Sequence, residues 1–432
     1  MSLSAQTADN IIAALRQGTV PDAGLEHLTV GLERERAAIS EELDAVASGQ
    51  GRLKLIRGAY GSGKTFLANL TLAEAQQRGF VTARCAISAQ VPLHKLEAVY
   101  RELMGSLTVR GQHAALKGLL DRWFYRLDEA IIEDQGLGET DPALFEAAKV
   151  RLRRDLSAIV ALPSAFRQAV VAYYDATRAD DFGTANGVLG WLAGQGAIGT
   201  EIKRRALLTG QVERTMVPDF LRGVAALAVA SGSKGLVVAL DELETIQRLT
   251  GPNRDTALNN LRQIVDDVQS GSFPYVYFLG TGTEDFFEGP RGVRKLEPLY
   301  ERIKLVGDPA FSNPRQVQVA LRPFDRERLI QVARRVRTVF EDARPELPLD
   351  PMRAGDEVIE AIADRVTSKL GGRVSVVPRL FLREWVNQLD LVQQYPDYDP
   401  LGRYDFQAGN LTPEEEEAAR GGESEFEAAP VV

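Results

Sequence analysis

Eight residues constrain this chain more than any others: Gly58-Ala59-Tyr60-Gly61-Ser62-Gly63-Lys64-Thr65 fits the pattern G-x-x-x-x-G-K-[ST]. The flanks give the pattern its meaning. Residues 52–56 read as a short apolar strand running straight into the glycines. Residues 64–77 have helical spacing, with Phe66, Leu67, Leu70 and Leu72 apolar and Gly79 as a stop. Strand, glycine turn and helix in this order make a phosphate-binding loop. Glycines let successive backbone N–H groups turn inward around phosphate, and the helix N-terminus adds positive potential. All eight residues are therefore expected to bind nucleotide, with Lys64 reaching the β- and γ-phosphates and Thr65 ligating Mg²⁺. No Asn/Thr-Lys-x-Asp guanine motif stands after the last strands, so ATP is the expected nucleotide.

A second element follows at Leu236-Val237-Val238-Ala239-Leu240-Asp241-Glu242. An apolar run ending in two acids describes a buried strand whose carboxyl end presents carboxylates. Asp241 is expected to hold Mg²⁺ through water and Glu242 to polarise an attacking water as general base. Glu244 stands close enough in sequence to take either role. A third element, Tyr275-Val276-Tyr277-Phe278-Leu279-Gly280-Thr281-Gly282-Thr283, reads as a buried strand lying between the two earlier ones. Thr281 or Thr283 would hydrogen-bond the γ-phosphate or the lytic water.

These elements predict an α/β P-loop NTPase fold, a parallel sheet sandwiched by helices. The expected organisation is an N-terminal helical segment over 1–29, an ATPase domain over 30–321, a C-terminal helical lid over 322–398 and an acidic disordered tail over 399–432. Within the ATPase domain, residues 92–215 show long amphipathic runs punctuated by glycine and no clear strand. They read as a helical insertion of about 120 residues. Asp325 looks like an N-cap for the first lid helix.

Composition narrows the chemistry. The chain has 432 residues, 26% of them charged, with a net charge of −9. Residues 411–432 hold seven glutamates and one arginine, which leaves −3 on the other 410, so the body is nearly balanced. Acidity therefore argues little against a nucleic-acid contact. The single Cys85 forbids an internal disulfide and a multi-thiolate zinc site, and three histidines, His27, His94 and His113, make a histidine metal site improbable. No run of about 18 apolar residues exists and no basic, then apolar, leader opens the chain, so a cytoplasmic protein with no membrane contact is expected.

The pattern resembles an AAA+-type ATPase of the origin-recognition and STAND-like branch. Val30-Gly31-Leu32-Glu33-Arg34-Glu35 resembles that group's Gly-Arg-Glu segment beside the adenine, with Leu32 where arginine is usual. Leu299-Tyr300-Glu301-Arg302-Ile303 resembles the box carrying an arginine finger, which implies a catalytic role for Arg302, with Arg294 as fallback. Pro378-Arg379 resembles the second sensor, which implies that Arg379 contacts the γ-phosphate from the lid, with Arg373 as the alternative. A guanidinium at the transferring phosphoryl is worth roughly 10³–10⁵ in rate. A finger supplied in trans would make hydrolysis depend on a homo-oligomer. A finer resemblance is to the ATP-binding proteins of bacterial BREX phage-defence systems, the BrxD kind, through the phosphate loop, the Leu-Asp-Glu-Leu-Glu strand end and the closing Val-Val-Pro-Arg-Leu-Phe-Leu-Arg-Glu. It implies an ATPase acting as a motor or switch alongside other defence-system proteins, a helicase or a methyltransferase among them.

Three basic clusters could touch DNA phosphates: Lys149, Arg151, Arg153 and Arg154; Lys203, Arg204 and Arg205; and Arg334, Arg335 and Arg337. Taken singly, each reads better as a solvated helix face paired with nearby acids. Trp123, Phe124 and Tyr125 are consecutive, so they divide between core and edge instead of forming a stacking platform. Trp191 and Trp385 read as packing residues and Cys85 as an inert strand residue. Two other functions remain open: a nucleotide-regulated scaffold with negligible hydrolysis, and a DNA-binding loader of the origin-recognition type.

Overall fold

The computed structural model describes residues 3–109, 112–113, 115–159, 162–196, 198–307, 313–369 and 377–404. Of the expected tail over 399–432, residues 405–432 lie outside them, as does the alternative sensor Arg373, while the tail's first residues hold the short helix Pro400–Arg403. The chain divides into two compact units. One comprises residues 1–37, 57–70 and 320–432, and the other residues 38–56 and 71–319.

The larger unit is built on a seven-stranded sheet. Its strands are β1 (Arg52–Arg57), β2 (Val81–Ala86), β3 (Thr108–Val109), β4 (Gln112–His113), β5 (Leu236–Asp241), β6 (Val276–Gly282) and β7 (Gln318–Ala320). They lie in the order β4-β3-β2-β5-β6-β1-β7. Strands β2, β5 and β6 pair in parallel, with Cys85 opposite Leu240 and Leu240 opposite Gly280. Helices cover both faces of such strands, so their residues are apolar without alternation; every residue of β6 is buried. As expected, β6 lies between the phosphate-loop strand β1 and the Asp241 strand β5.

The stretch 92–215 is mainly helical, with helices Leu96–Gly105, Leu116–Gln135, Pro142–Ala158, Ser164–Arg178, Phe182–Leu192 and Thr200–Arg205. Two short strands also lie in it and extend the sheet edge, β3 antiparallel to β2 and β4 antiparallel to β3. They went unread because two-residue strands carry no periodicity. Helix starts follow capping rules: Asp141 accepts from Ala143 N at 2.9 Å ahead of Pro142, and Asp181 accepts from Thr184 N at 3.0 Å. The helices close on aromatics. Phe220 meets Tyr100 edge-on at 5.9 Å and Phe166 edge-on at 5.2 Å. Trp123 and Phe124 are buried while Tyr125 is 62% exposed, which is the expected division. Cys85 is buried, and burial pushes its thiol up to about 12.

The smaller unit has a core of its own. Ala8, Ile11, Ile12 and Leu15 of helix Ala5–Arg16 share it with Leu329, Ala333 and Val336 of helix Arg326–Ala343 and with Phe381 and Trp385 of helix Val377–Gln394. The N-terminal helix is therefore packed among the C-terminal helices, and Arg16 holds Asp390 bidentately at 2.8 and 2.9 Å. Trp385 is fully buried and donates its indole N–H to Ala333 O at 3.0 Å. Asp325 caps helix Arg326–Ala343 through Arg328 N at 2.8 Å, as expected.

Candidate nucleotide-binding site

In the smaller unit, residues 58–63 form a turn that follows β1 and leads into helix Lys64–Gln77. Gly61 and Gly63 take φ of +75° and +92°, which L side chains rarely adopt. Gly58 is needed for space: a Cβ there would stand 2.4 Å from Ser62 Oγ. Ser62 is buried and its Oγ has no hydrogen-bond partner among the described residues. Lys64 is also buried, with its ammonium folded over the loop onto Gly58 O at 3.2 Å and Ala59 O at 3.1 Å. An orphaned hydroxyl and an ammonium resting on loop carbonyls inside a glycine cradle fit a phosphate chain. The carbonyls are weak substitutes for anionic oxygens. Thr65 is exposed at the helix start.

The larger unit holds the acidic group. Pairing of Leu240 with Gly280 sets the next residues, Asp241 and Thr281, level with each other. The Thr281 hydroxyl donates to Asp241 Oδ1. Glu242 N donates to that same oxygen and to Thr281 Oγ1, both at 3.1 Å. Thr281 is buried; Glu242 is exposed. Glu242 has φ +59° and ψ +42°, a left-handed conformation costing roughly 1–2 kcal/mol for a residue with a Cβ. Such strain collects at functional sites. Among the described residues no donor reaches Asp241 Oδ2, so that oxygen fits a cation-holding role. Thr283 serves elsewhere, capping helix Glu284–Glu288 by accepting from Phe286 N at 3.3 Å. Glu244 sits in the 3-10 turn Leu243–Arg248.

The candidate arginines are each engaged. Arg302 ion-pairs with Asp266 and donates to Pro298 O at 2.6 Å. Arg294 stands 5.6 Å over the Tyr300 ring. Arg379 is exposed in the smaller unit, with its Nε 3.2 Å from where a Cβ on Gly18 would be. The basic clusters are largely paired with acids: Lys149 with Asp175 at 2.8 Å, Arg151 with Asp134 at 3.3 Å, Arg204 and Arg205 with Glu201 at 2.7 and 3.0 Å, and Arg334 with Asp356 at 2.9 Å.

Sequence reasoning passed over one buried charge group. Lys54, in the middle of β1, is completely buried and meets Glu42 at 2.7 Å. Its ammonium also donates to Pro314 O at 2.8 Å and Gln316 O at 2.5 Å, while Tyr277 OH donates to Glu42 at 2.6 Å. A lysine inside an otherwise apolar strand was the available signal.

Loop, sheet order and carboxyl group together define a P-loop ATP-binding protein of the α/β class. The sequence model of one family, described as BREX system ATP-binding protein BrxC/D, matches residues 3–408, and the chain belongs to that family. Among solved structures, the chain is similar to the ORC2 protein of Aeropyrum pernix in its ADPNP–ADP complexes, at 15% identity and a TM-score of 0.40. The alignment covers 92% of this chain and 68% of that one. No curated protein matches. Among the described residues, no helix is long and apolar enough to cross a membrane.

Proposed function

We propose that the protein hydrolyses the ATP it binds, and that its conformational cycle serves as a motor or switch in a BREX-type anti-phage assembly. The observation that carries the hydrolytic reading is the strained, doubly hydrogen-bonded Glu242 immediately after Asp241. Residues 58–65 would hold the phosphates, with Lys64 exchanging its carbonyl partners for anionic oxygens. Thr65 and Asp241 would hold Mg²⁺, which neutralises charge on the phosphates when bound. Glu242 would orient and deprotonate water. Thr281 would act by keeping Asp241 and the Glu242 peptide in place.

A second reading, a nucleotide-regulated scaffold with negligible turnover, draws support from the engagement of Arg302 by Asp266 within one chain. Multiple-turnover phosphate release, with and without DNA, separates the two. Release under either condition rejects the scaffold; none under both, with ATP bound, rejects the motor. Arg302 supplied to a neighbouring copy would make turnover rise with protein concentration. In this reading the partners are other defence-system proteins, a helicase or a methyltransferase among them, and the setting is the cytoplasm; membership of a BREX family is what supports it.

A further inference from the structure

We infer that Thr245 is a positioning residue for Glu242, holding the glutamate's peptide from the side opposite Thr281. The inference deepens the hydrolytic reading above and rests on it.

A left-handed residue other than glycine persists only where its surroundings over-determine it. The polar groups around Glu242 do this completely. On its amino side, Glu242 N is bound by Asp241 Oδ1 and Thr281 Oγ1. On its carboxyl side, Glu242 O accepts from Thr245 N at 3.1 Å and from Thr245 Oγ1 at 2.9 Å. The Thr245 hydroxyl has one proton, which it shares between Glu242 O and Ile87 O, the latter at 3.0 Å, and Ile87 N donates to Asp241 O at 2.9 Å. Ile87 follows β2, and Asp241 ends β5. One threonine thus ties the Glu242 carbonyl to the end of the neighbouring strand.

The chemical consequence follows from the backbone. Rotation of the Glu242 peptide out of the left-handed region would turn the Cα–Cβ bond and carry the carboxylate off its line. Thr281 and Asp241 fix one end of that peptide, and removal of the Thr245 hydroxyl takes from the other end the bond it shares with Ile87 O beyond β2. Serine keeps the hydroxyl and valine keeps the shape without it.

The test is steady-state ATP hydrolysis by the full chain, comparing wild type, Thr245→Val, Thr245→Ser, Glu242→Gln and the Thr245→Val/Glu242→Gln double variant. Thr245→Val is expected to lower kcat at least about tenfold with KM within about twofold, because misplacing a catalytic group costs rate and not binding. Thr245→Ser should stay within about twofold of wild type, and the double variant should be no slower than Glu242→Gln alone, since groups acting as a unit are not additive. If Thr245→Val loses its cooperative melt, Thr245→Ala takes its place in each comparison. A wild-type kcat in the hydroxyl-less variant, or an equal loss in both backgrounds, overturns the inference while leaving the hydrolytic reading intact. A wild type without any turnover overturns both.

Discussion

Thr281 gives its single hydroxyl proton to the Asp241 carboxylate, and the register of β5 on β6 is what places the two side chains level. The sequence pointed to Thr281 as a direct partner of phosphate or water. In the structure its proton is committed to Asp241 and its oxygen accepts from Glu242 N. Thr281→Val should therefore lower kcat for ATP by about 10- to 100-fold, while Thr281→Ser keeps most of it. Phosphate release by the two variants, with melting curves as a control for folding, checks this.

Gly58 offers a prediction on binding alone. A methyl group at this position would press on Ser62 Oγ, so Gly58→Ala should weaken ATP affinity by at least about tenfold, equal to about 1.4 kcal/mol. The fold should remain, because the closest atom met is a serine hydroxyl at the end of a short side chain, which melting curves would confirm. Titration with a fluorescent ATP analogue reads the change.

Much of this site was legible because it depends on chain-local chemistry. A glycine turn between strand and helix, and an apolar run ending in acids, declare themselves within a dozen residues, and the buried run of β6 placed it between its neighbours. The rest depends on distant partners. Nothing near Thr245 in sequence shows that its hydroxyl meets Ile87 O, 158 residues away. Arg302 matched a motif, yet nothing in that motif points to its partner Asp266, which lies on a separate helix, Gly251–Gln269. Helix Ala5–Arg16 looked like an isolated N-terminal segment. The reason it buries Ile11 and Ile12 is supplied by helices more than 300 residues later.

Lys54 illustrates the same point energetically. Its pair with Glu42 is buried, so removing Lys54 leaves the Glu42 charge with the Tyr277 hydroxyl but without the ammonium, and takes the Lys54 donor from two carbonyls. Lys54→Ala should destabilise the protein by about 3–5 kcal/mol, and Lys54→Met with Glu42→Leu should recover most of that loss. Denaturant melts of the single and double variants decide it.

Acid should loosen the smaller unit in a defined direction. Hydrogen bonds from Arg334 hold the Asp356 carboxyl below its ordinary value of 3.8, and those from Arg326 do the same for Asp364. A carboxyl whose folded pKa is depressed binds fewer protons than in the unfolded chain. Its stabilisation is thus present above 3.8 and is lost as pH falls through the folded value. Stability measured between about pH 5 and pH 3 should decline, and the decline should be shallower in Arg326→Gln.

Cys85 should be silent in the native protein. Its thiol is buried and raised to about 12, so almost no thiolate exists near neutral pH. Iodoacetamide should label it only after unfolding, which mass spectrometry of native and denatured samples would show.

The central claim is that Glu242 performs chemistry on ATP held by residues 58–65. Its most direct test pairs ATP binding with ATP turnover in Glu242→Gln. The expected result is affinity within about threefold of wild type and turnover reduced at least about 100-fold, the pattern of a lost general base. Turnover equal to wild type in that variant would contradict it.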